Sequence, residues 1–427
     1  MDLSRFNPWW REGRVADLLA GRRRRLLADL LKNMDVRQML ILSGLRRAGK
    51  TTLMFQLVDE LIAAGVDPYD ILYFSFDEAE AGLEEIIEEY ENTVLKGPLS
   101  GRRRYLFLDE IQKLDGWEDK VKIVYDLNPN LKLVLSGSVA VTLLKGTRES
   151  LAGRFFDFRV EPLDFDEFLD FRGAEVDKER EQLFASEIRR QLNLYLKTGG
   201  FIEAFDFDDL QLRRYFKEGL LERVVYRDLP EEFKIRAPEL LLRLVRIVAE
   251  RPGLYLDYKS LAGDLGYDHR TVSDYFSFLE RGLLLDKLFN YSTNRMTSEK
   301  KLKRCYLGST AFTMALASST NWSQLMEQFF VVALGARFFW RSPQRDEVDI
   351  ILNEGGAVPV EVKMKGKVTA KDAKPIFRFM KRYGAQQGFL ITKSTEASFV
   401  REDCSVKAIP FWKYWTLTKE LGASARV

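Results

Sequence analysis

GLRRAGKTT, residues 44–52, follows the apolar run MLILS (residues 39–43) and precedes LMFQLVDELIAA (residues 53–64), whose apolar residues recur at helical spacing. The stretch fits G-x-x-x-x-G-K-[ST], and strand, loop and helix come in the order this pattern needs. Glycines at 44 and 49 let the backbone turn tightly, so successive N–H groups and the helix N-terminus face an anion. Lys50 brings a compact cation to the β- and γ-phosphates, and Thr51 offers a hydroxyl to Mg²⁺. A nucleoside triphosphate site is therefore expected on Gly44, Arg46, Arg47, Ala48, Gly49, Lys50, Thr51 and Thr52. For Arg46 and Arg47 two readings stand side by side: charge added near the nucleotide, or solvated charge at a loop tip.

Around this loop, short apolar runs alternate with amphipathic stretches, the pattern of a parallel sheet covered by helices. Strands are expected at Met39–Ser43, Ile71–Phe76, Tyr105–Asp109, Leu131–Ser136 and Phe155–Val160. In YLFLDEIQK (residues 105–113) four apolar residues lead to Asp109 and Glu110 at a strand's C-terminal end, where open α/β sheets bind ligands. Asp109 is expected in the Mg²⁺ shell and Glu110 as the general base for the attacking water. LKLVLSGS (residues 131–138) ends in Ser136 and Ser138. Ser136 reads either as a γ-phosphate sensor or as a turn hydroxyl at a strand end. Arg154, in SLAGRFFDFRV (residues 150–160), is the candidate arginine finger for a neighbouring subunit's site; Arg148 and Arg159 compete with it, and a plain salt bridge is the other reading. The run Arg22–Arg25 is expected on the solvated face of a helix.

A chain of 427 residues exceeds one ordinary core and implies two to four domains. With 66 basic against 64 acidic residues it is no polyelectrolyte, so any nucleic-acid contact must come from local patches. Cys305 and Cys404 lack metal-ligand spacing, and the single histidine, His269, excludes His-rich metal sites. No uninterrupted apolar stretch reaches membrane-spanning length, and MDLSRFNPWWREG has no signal-peptide core. A soluble cytoplasmic protein in a reducing setting is expected.

Further along, residues 259–285 read as a helix with Leu261 and Leu265 inward, a turn at Gly266 to Asp268, and a second helix with an apolar stripe. Thr271 to Leu279 takes the place of a recognition helix, although it carries few basic or amide side chains, so protein contact stands equal to DNA contact there. The following segment reads as a wing, with Lys300, Lys301, Lys303 and Arg304 as phosphate-contact candidates. EVDIIL (residues 347–352) and VPVEVKMKGK (residues 358–367) read as paired strands across the turn NEGGA. Glu361 and Lys363 share a strand face that Asp349 joins on regular pairing, giving two carboxylates for Mg²⁺ and a lysine for water. An amphipathic helix then presents Lys371, Lys374, Arg378, Lys381 and Arg382 to a nucleic-acid backbone.

Taken in order, NPWW (residues 7–10), GLRRAGKTT, LDEIQK, LSGS, LAGRF, PLDFDEF (residues 162–168) and GGF (residues 199–201) resemble the prokaryotic, especially archaeal, AAA-superfamily ATPases fused to a C-terminal domain. The resemblance implies an α/β chain: a P-loop NTPase core with a parallel five-stranded sheet over residues 1–170, a helical lid over 171–235, a winged-helix domain over 236–310 and a C-terminal α/β restriction-endonuclease-like domain over 311–427. The D…ExK spacing resembles the PD-(D/E)XK nuclease signature, and Glu327 fits its upstream acidic position. That assigns catalysis to Asp349, Glu361 and Lys363, and metal binding to Asp349, Glu361 and Glu327. The chain departs from the family at Ile202, where a proline usually follows GGF, which weakens any nucleotide-sensing role for this turn. ATP rather than GTP rests on the resemblance. The expected protein is thus a Mg²⁺-dependent ATPase acting on DNA, able to form a homo-oligomer. The alternative is an ATP-switched signalling or scaffold protein whose C-terminal domain binds a partner without cleaving nucleic acid.

Overall fold

Met39–Gly44 forms β1 and is buried at all six positions, as a strand must be when helices cover both faces of its sheet. The computed structural model describes residues 1–137, 150–300, 302–353 and 355–422, without the side chains of 295, 299 and 300. The other four strands of this sheet are β2 (Ile71–Ser75), β3 (Arg104–Asp109), β4 (Leu131–Gly137) and β5 (Phe155–Val160). All pairings are parallel, in the order β2-β3-β4-β1-β5. The P-loop strand β1 and the acidic strand β3 therefore flank β4, and their C-terminal ends open on one edge of the sheet.

The chain divides into two compact units, Met1–Pro162 and Leu163–Val427. In the first, the N-terminal NPWW segment has a specific task. β2 is an outer strand with a free row of N–H and C=O groups, the exposed edge that sheets must protect. Asn7 pairs with it as a strand residue would: its Oδ1 accepts from Tyr73 N–H at 2.7 Å and its Nδ2 donates to Tyr73 O at 3.0 Å. The indole N–H groups of Trp9 and Trp10 both donate to Ile71 O, at 3.3 and 2.9 Å. Trp10 also stacks on Tyr90 with ring centroids 5.9 Å apart.

The run Arg22–Arg25 departs from the solvated helix expected of it. It precedes the helix Leu26–Lys32, and Arg24 is buried. Gln56, from the helix Lys50–Ala63, pulls this segment in: its Nε2 donates to Ala20 O and Arg22 O at 2.7 and 2.8 Å. One arginine of four is thereby spent inside the protein, while Arg22, Arg23 and Arg25 stay exposed.

In the second unit a nine-stranded sheet runs in the order β13-β14-β12-β11-β10-β9-β7-β8-β6. Its strands are β6 (Leu254–Tyr255), β7 (Leu285–Asn290), β8 (Lys303–Leu307), β9 (Phe338–Arg341), β10 (Glu347–Leu352), β11 (Val358–Lys363), β12 (Gln387–Thr392), β13 (Ala397–Arg401) and β14 (Cys404–Pro410). The helices Tyr258–Leu265 and His269–Arg281 form a helix-turn-helix between β6 and β7, and β7 and β8 pair as an antiparallel hairpin. β7 then pairs with β9, Phe289 opposite Phe338, so the hairpin and the C-terminal strands belong to one sheet. On one side of that sheet Leu163, Phe165, Leu192, Phe329, Val360, Phe389 and Tyr414 share a core that includes the helices Phe165–Arg172 and Ala185–Thr198. On the other side the helix Lys374–Tyr383 buries Ile376, Phe379 and Met380 against Val348, Leu390 and Val406. The GGF turn needs both glycines: Gly199 and Gly200 have φ of +58° and +77°, and a Cβ would strike the Ser309 hydroxyl or the Leu163 carbonyl.

Asn7→Ala is expected to lower the free energy of unfolding by about 2 kcal/mol, because it strands two buried backbone groups of β2. Trp10→Phe, which keeps an aromatic ring but loses the indole donor and part of the buried ring, should cost at least about 1 kcal/mol. Urea denaturation with unchanged slope is the measurement; equal stability of all three proteins would contradict the edge-sealing role.

Candidate active site

The GLRRAGKTT loop begins where β1 ends, and its first glycine answers to packing. A Cβ on Gly44 would collide with the Val160 carbonyl oxygen of β5, so only glycine lets the two strands approach there. Arg47 and Gly49 take φ of +65° and +96°, which turns the chain into the helix Lys50–Ala63. Ala48 is buried, Arg46 and Gly49 are half-buried, and Arg47 is exposed. Thr51 and Thr52 lie half-buried in the first helical turn. The Lys50 ammonium is buried under the loop, donating to Gly44 O and Leu45 O, each at 3.1 Å, with Glu110 Oε1 at 4.0 Å.

Asp109 ends β3 beside this helix, and three hydroxyls converge on its carboxylate. Thr51 Oγ1 donates to Oδ2 at 2.7 Å, Tyr73 OH donates to Oδ2 at 2.9 Å, and Ser136 Oγ donates to Oδ1. Burial, and then the Asp109 charge, hold the Tyr73 phenol far above its ordinary pKa, so it stays a donor. Ser136 has a second task, accepting the Glu110 N–H at 3.2 Å. Glu110 stands in the left-handed region with φ of +52°, and Gln112 Nε2 donates to its Oε2 at 2.5 Å. The Gln112 Oε1 is buried with no hydrogen-bond partner among the described residues. An adjacent Thr51 hydroxyl and Asp109 carboxylate are the hard oxygen donors that Mg²⁺ requires, so the residues present fit that ion.

Tyr73 and Gln112 are not among the expected site residues, and Arg24 is expected at the surface with the rest of its basic run. Arg24 Nη1 donates to Ala48 O and its Nη2 to Glu161 O, each at 3.0 Å, which ties the loop to the end of β5. Arg154 makes a forked pair with Asp126, 3.1 and 3.2 Å, and Arg159 pairs with Glu161 at 2.8 Å. Ser138 and Arg148 lie outside the described residues.

A second cluster forms in the C-terminal unit. β10 and β11 pair antiparallel with Ile350 opposite Val360, which brings Asp349 and Glu361 together. Glu361 Oε2 accepts from Asp349 N–H at 3.1 Å, Asp349 Oδ2 accepts from Val362 N–H at 2.9 Å, and Lys363 Nζ lies 2.5 Å from Glu361 Oε1. Burial, then the Asp349 charge, push the Glu361 carboxyl well up; burial opposes the Lys363 charge, but Glu361 and Asp349 outweigh it and hold this amine above its ordinary value. Glu327 reaches the cluster from the helix Trp322–Ala333, and burial followed by the Asp349 charge pushes its carboxyl up to about 7. Two expectations need correction here. Arg304, expected at a phosphate, is buried and ion-paired to Glu327, Glu347 and Asp349, because β8 delivers it to the inside of the sheet. The metal set of Asp349, Glu361 and Glu327 does not assemble either: among the described residues no three acidic, histidine or cysteine side chains converge as an ion would need. Lys303 lies over the Phe289 ring at 5.0 Å, and Lys301 and the Lys300 side chain lie outside the described residues.

Residues 36–169 match the model of a family described as an AAA domain. The first unit, with its parallel five-stranded sheet, has the fold of a P-loop NTPase core. Residues 189–323 and 323–414 match two domains of unknown function, DUF8612 and DUF4143. An uncharacterized protein of Methanocaldococcus jannaschii is 28% identical over 306 residues, 70% of this chain and 67% of its own length. One from Haemophilus influenzae is 26% identical over 275 residues, 63% of this chain and 66% of its own. The chain thus spans about two thirds of these curated relatives. Among solved structures, a Walker-type ATPase of Pyrococcus abyssi aligns with 69% of this chain and 95% of its own, at 18% identity and a TM-score of 0.39. The Aeropyrum pernix ORC1 protein, solved in complex with DNA, aligns with 72% of this chain and 95% of its own, at 16% identity and a TM-score of 0.28. Among the described residues no helix is long and apolar enough to cross a membrane.

Removing either outer donor to Asp109 is expected to cost stability. Tyr73→Phe and Ser136→Ala should each lower the unfolding free energy by about 1.5–3 kcal/mol, the range for hydrogen bonds to a charged acceptor. Since both serve one carboxylate, the double variant should depart from the sum by about 0.5 kcal/mol or more in a denaturation double-mutant cycle.

Proposed function

We propose that this chain is a Mg²⁺-dependent ATPase whose second unit engages nucleic acid through its phosphate backbone. One observation carries the enzymatic half: Thr51 Oγ1 lies 2.7 Å from Asp109 Oδ2 at the N-terminus of the loop's own helix, with Lys50 and Glu110 beside them. In this reading the loop N–H groups and Lys50 bind the triphosphate, with Lys50 exchanging the Gly44 and Leu45 carbonyls for phosphate oxygens. Thr51 and Asp109 hold Mg²⁺, which when bound draws charge from the phosphates. Glu110 accepts the proton of the attacking water as the bond from γ-phosphorus to the ADP oxygen breaks. Ser136 orients Glu110 through its backbone N–H. Arg154 serves a neighbouring copy's site in a homo-oligomer, which requires release of Asp126.

Support for the nucleic-acid half comes from the C-terminal sheet rather than from the helix-turn-helix. A pocket of about 460 Å³ is lined by Asn290, Trp340, Arg341, Arg345, Arg382 and Tyr383, among others. Arg345 and Arg382 are exposed, and neither has a carboxylate partner among the described residues. Lys374 and Lys381 continue the exposed basic face along the adjoining helix, and Lys371 extends it from the turn just before. Such a strip matches phosphates spaced along a strand.

A different observation favours the switch reading, in which ATP controls a protein contact. On the helix His269–Arg281 the outward Asp274 is acidic, Glu280 is held by Lys287 at 2.8 Å, and Phe278 stacks on Phe233 at 4.7 Å. That face suits a protein partner better than a phosphate backbone. Both readings share the ATPase, and they part on whether DNA matters.

Phosphate release from Mg·ATP is expected from the intact protein and should be lost in Lys50→Ala. Glu110→Gln should keep nucleotide binding while lowering turnover by at least about a hundredfold. Retention of wild-type turnover by either variant sinks the assignment. For the second unit, Arg345→Glu with Arg382→Glu should weaken DNA binding at least tenfold. It should also flatten the plot of log affinity against log salt by about 2. DNA binding with an unchanged slope moves the contact elsewhere; no DNA binding, together with ATP turnover indifferent to DNA, selects the switch.

A further inference from the structure

The carboxylates of the C-terminal sheet already surround a cation, and it belongs to the chain. Arg304 leaves β8 inward, and its Nη1 lies 2.9 Å from Glu347 Oε1 and 3.4 Å from Asp349 Oδ1. Its Nη2 donates to Glu327 Oε1, and its Nε donates to Gly253 O at 3.2 Å. Four acceptors therefore meet one planar fork, the geometry that guanidinium satisfies and a point charge does not. The rings of Tyr255, Tyr306 and Phe339 lie 5.6, 5.4 and 5.7 Å from its central carbon.

The surroundings are cut to this side chain. Gly253 has φ of +80°, and a Cβ there would collide with Nη2, so the glycine makes room for the guanidinium. Tyr306 OH donates to Glu327 and Tyr255 OH donates to Glu347, each at 2.5 Å, which fixes the carboxylates that Arg304 bridges. The oxygens of Asp349 and Glu361 are meanwhile spent on nitrogen donors: Asp349 on Arg304 and Val362 N–H, Glu361 on Lys363 and Asp349 N–H. A divalent ion such as Mg²⁺ would need several of these oxygens at about 2.0–2.1 Å from one point, each taken from a donor it now serves.

We infer that Arg304 is the resident cation of this carboxylate cluster and that it excludes a divalent metal for as long as β8 keeps its place in the sheet. Asp349 and Glu327, two of the residues that match a metal-dependent nuclease signature, are then walls of a guanidinium socket completed by Glu347. It clamps the hairpin β7–β8 to the strand β10 and the helix Trp322–Ala333. Removing a buried partner from such a cluster leaves charge uncompensated, so the socket also stabilises the junction.

Mn²⁺ binding to the full chain without nucleotide, counted by electron paramagnetic resonance, tests this. Wild type and Asp349→Asn should bind the same number of ions. Arg304→Gln should gain one ion per chain, and Arg304→Gln with Asp349→Asn should lose it again. Circular dichroism and a cooperative melt establish that each variant is folded. A wild-type ion that Asp349→Asn removes overturns the inference, as does a folded Arg304→Gln that gains none. Should Arg304→Gln fail to fold, the comparison of wild type with Asp349→Asn decides by itself.

Discussion

The first unit turns on one carboxylate. Asp109 stands at the end of β3 and receives hydroxyls from β2, from β4 and from the first turn of the P-loop helix. Three elements that meet nowhere else in sequence are thereby fixed to one pair of oxygens. The arrangement keeps the buried charge satisfied without a cation, and it leaves Thr51 and Asp109 side by side as oxygen donors. In the proposed reading, stability and chemistry use the same contacts, and the side chains are already positioned by the fold.

Much of this unit could be read in advance, and the reason is locality. A strand, a glycine loop and a helix follow one another within 25 residues, and four strands of the sheet, β1 to β4, are short, largely apolar runs with both faces buried, while the outer strand β5 is mostly exposed. What escaped reading works across distance. Asn7 seals a strand 66 residues later, Tyr73 reaches Asp109 36 residues away, and Arg24 crosses to Ala48 and Glu161. Such residues carry no local signal: an asparagine, a tyrosine and an arginine in a basic run look like surface or core until the topology brings them home. Gly44 illustrates a subtler case. The motif marks it for its turn, yet the backbone of β5 lying against it also demands a glycine.

The second unit teaches the opposite lesson about spacing. Asp349, Glu361 and Lys363 do come together as their strand periodicity implies. Their partner was invisible in that pattern, because Arg304 arrives from a strand more than forty residues upstream and two places away in the sheet from β9. Charge type alone did not separate an outward phosphate contact from an inward counter-ion. The fold decided, by giving β8 a buried face at this position.

The pairing of β7 with β9 has a mechanical meaning. Backbone hydrogen bonds run without interruption from the hairpin after the helix-turn-helix to the last strands of the chain. Those segments cannot swivel against each other without breaking a sheet, which makes them a single stiff arm. Relative motion of these strands, started from either end of the sheet, costs ladder hydrogen bonds.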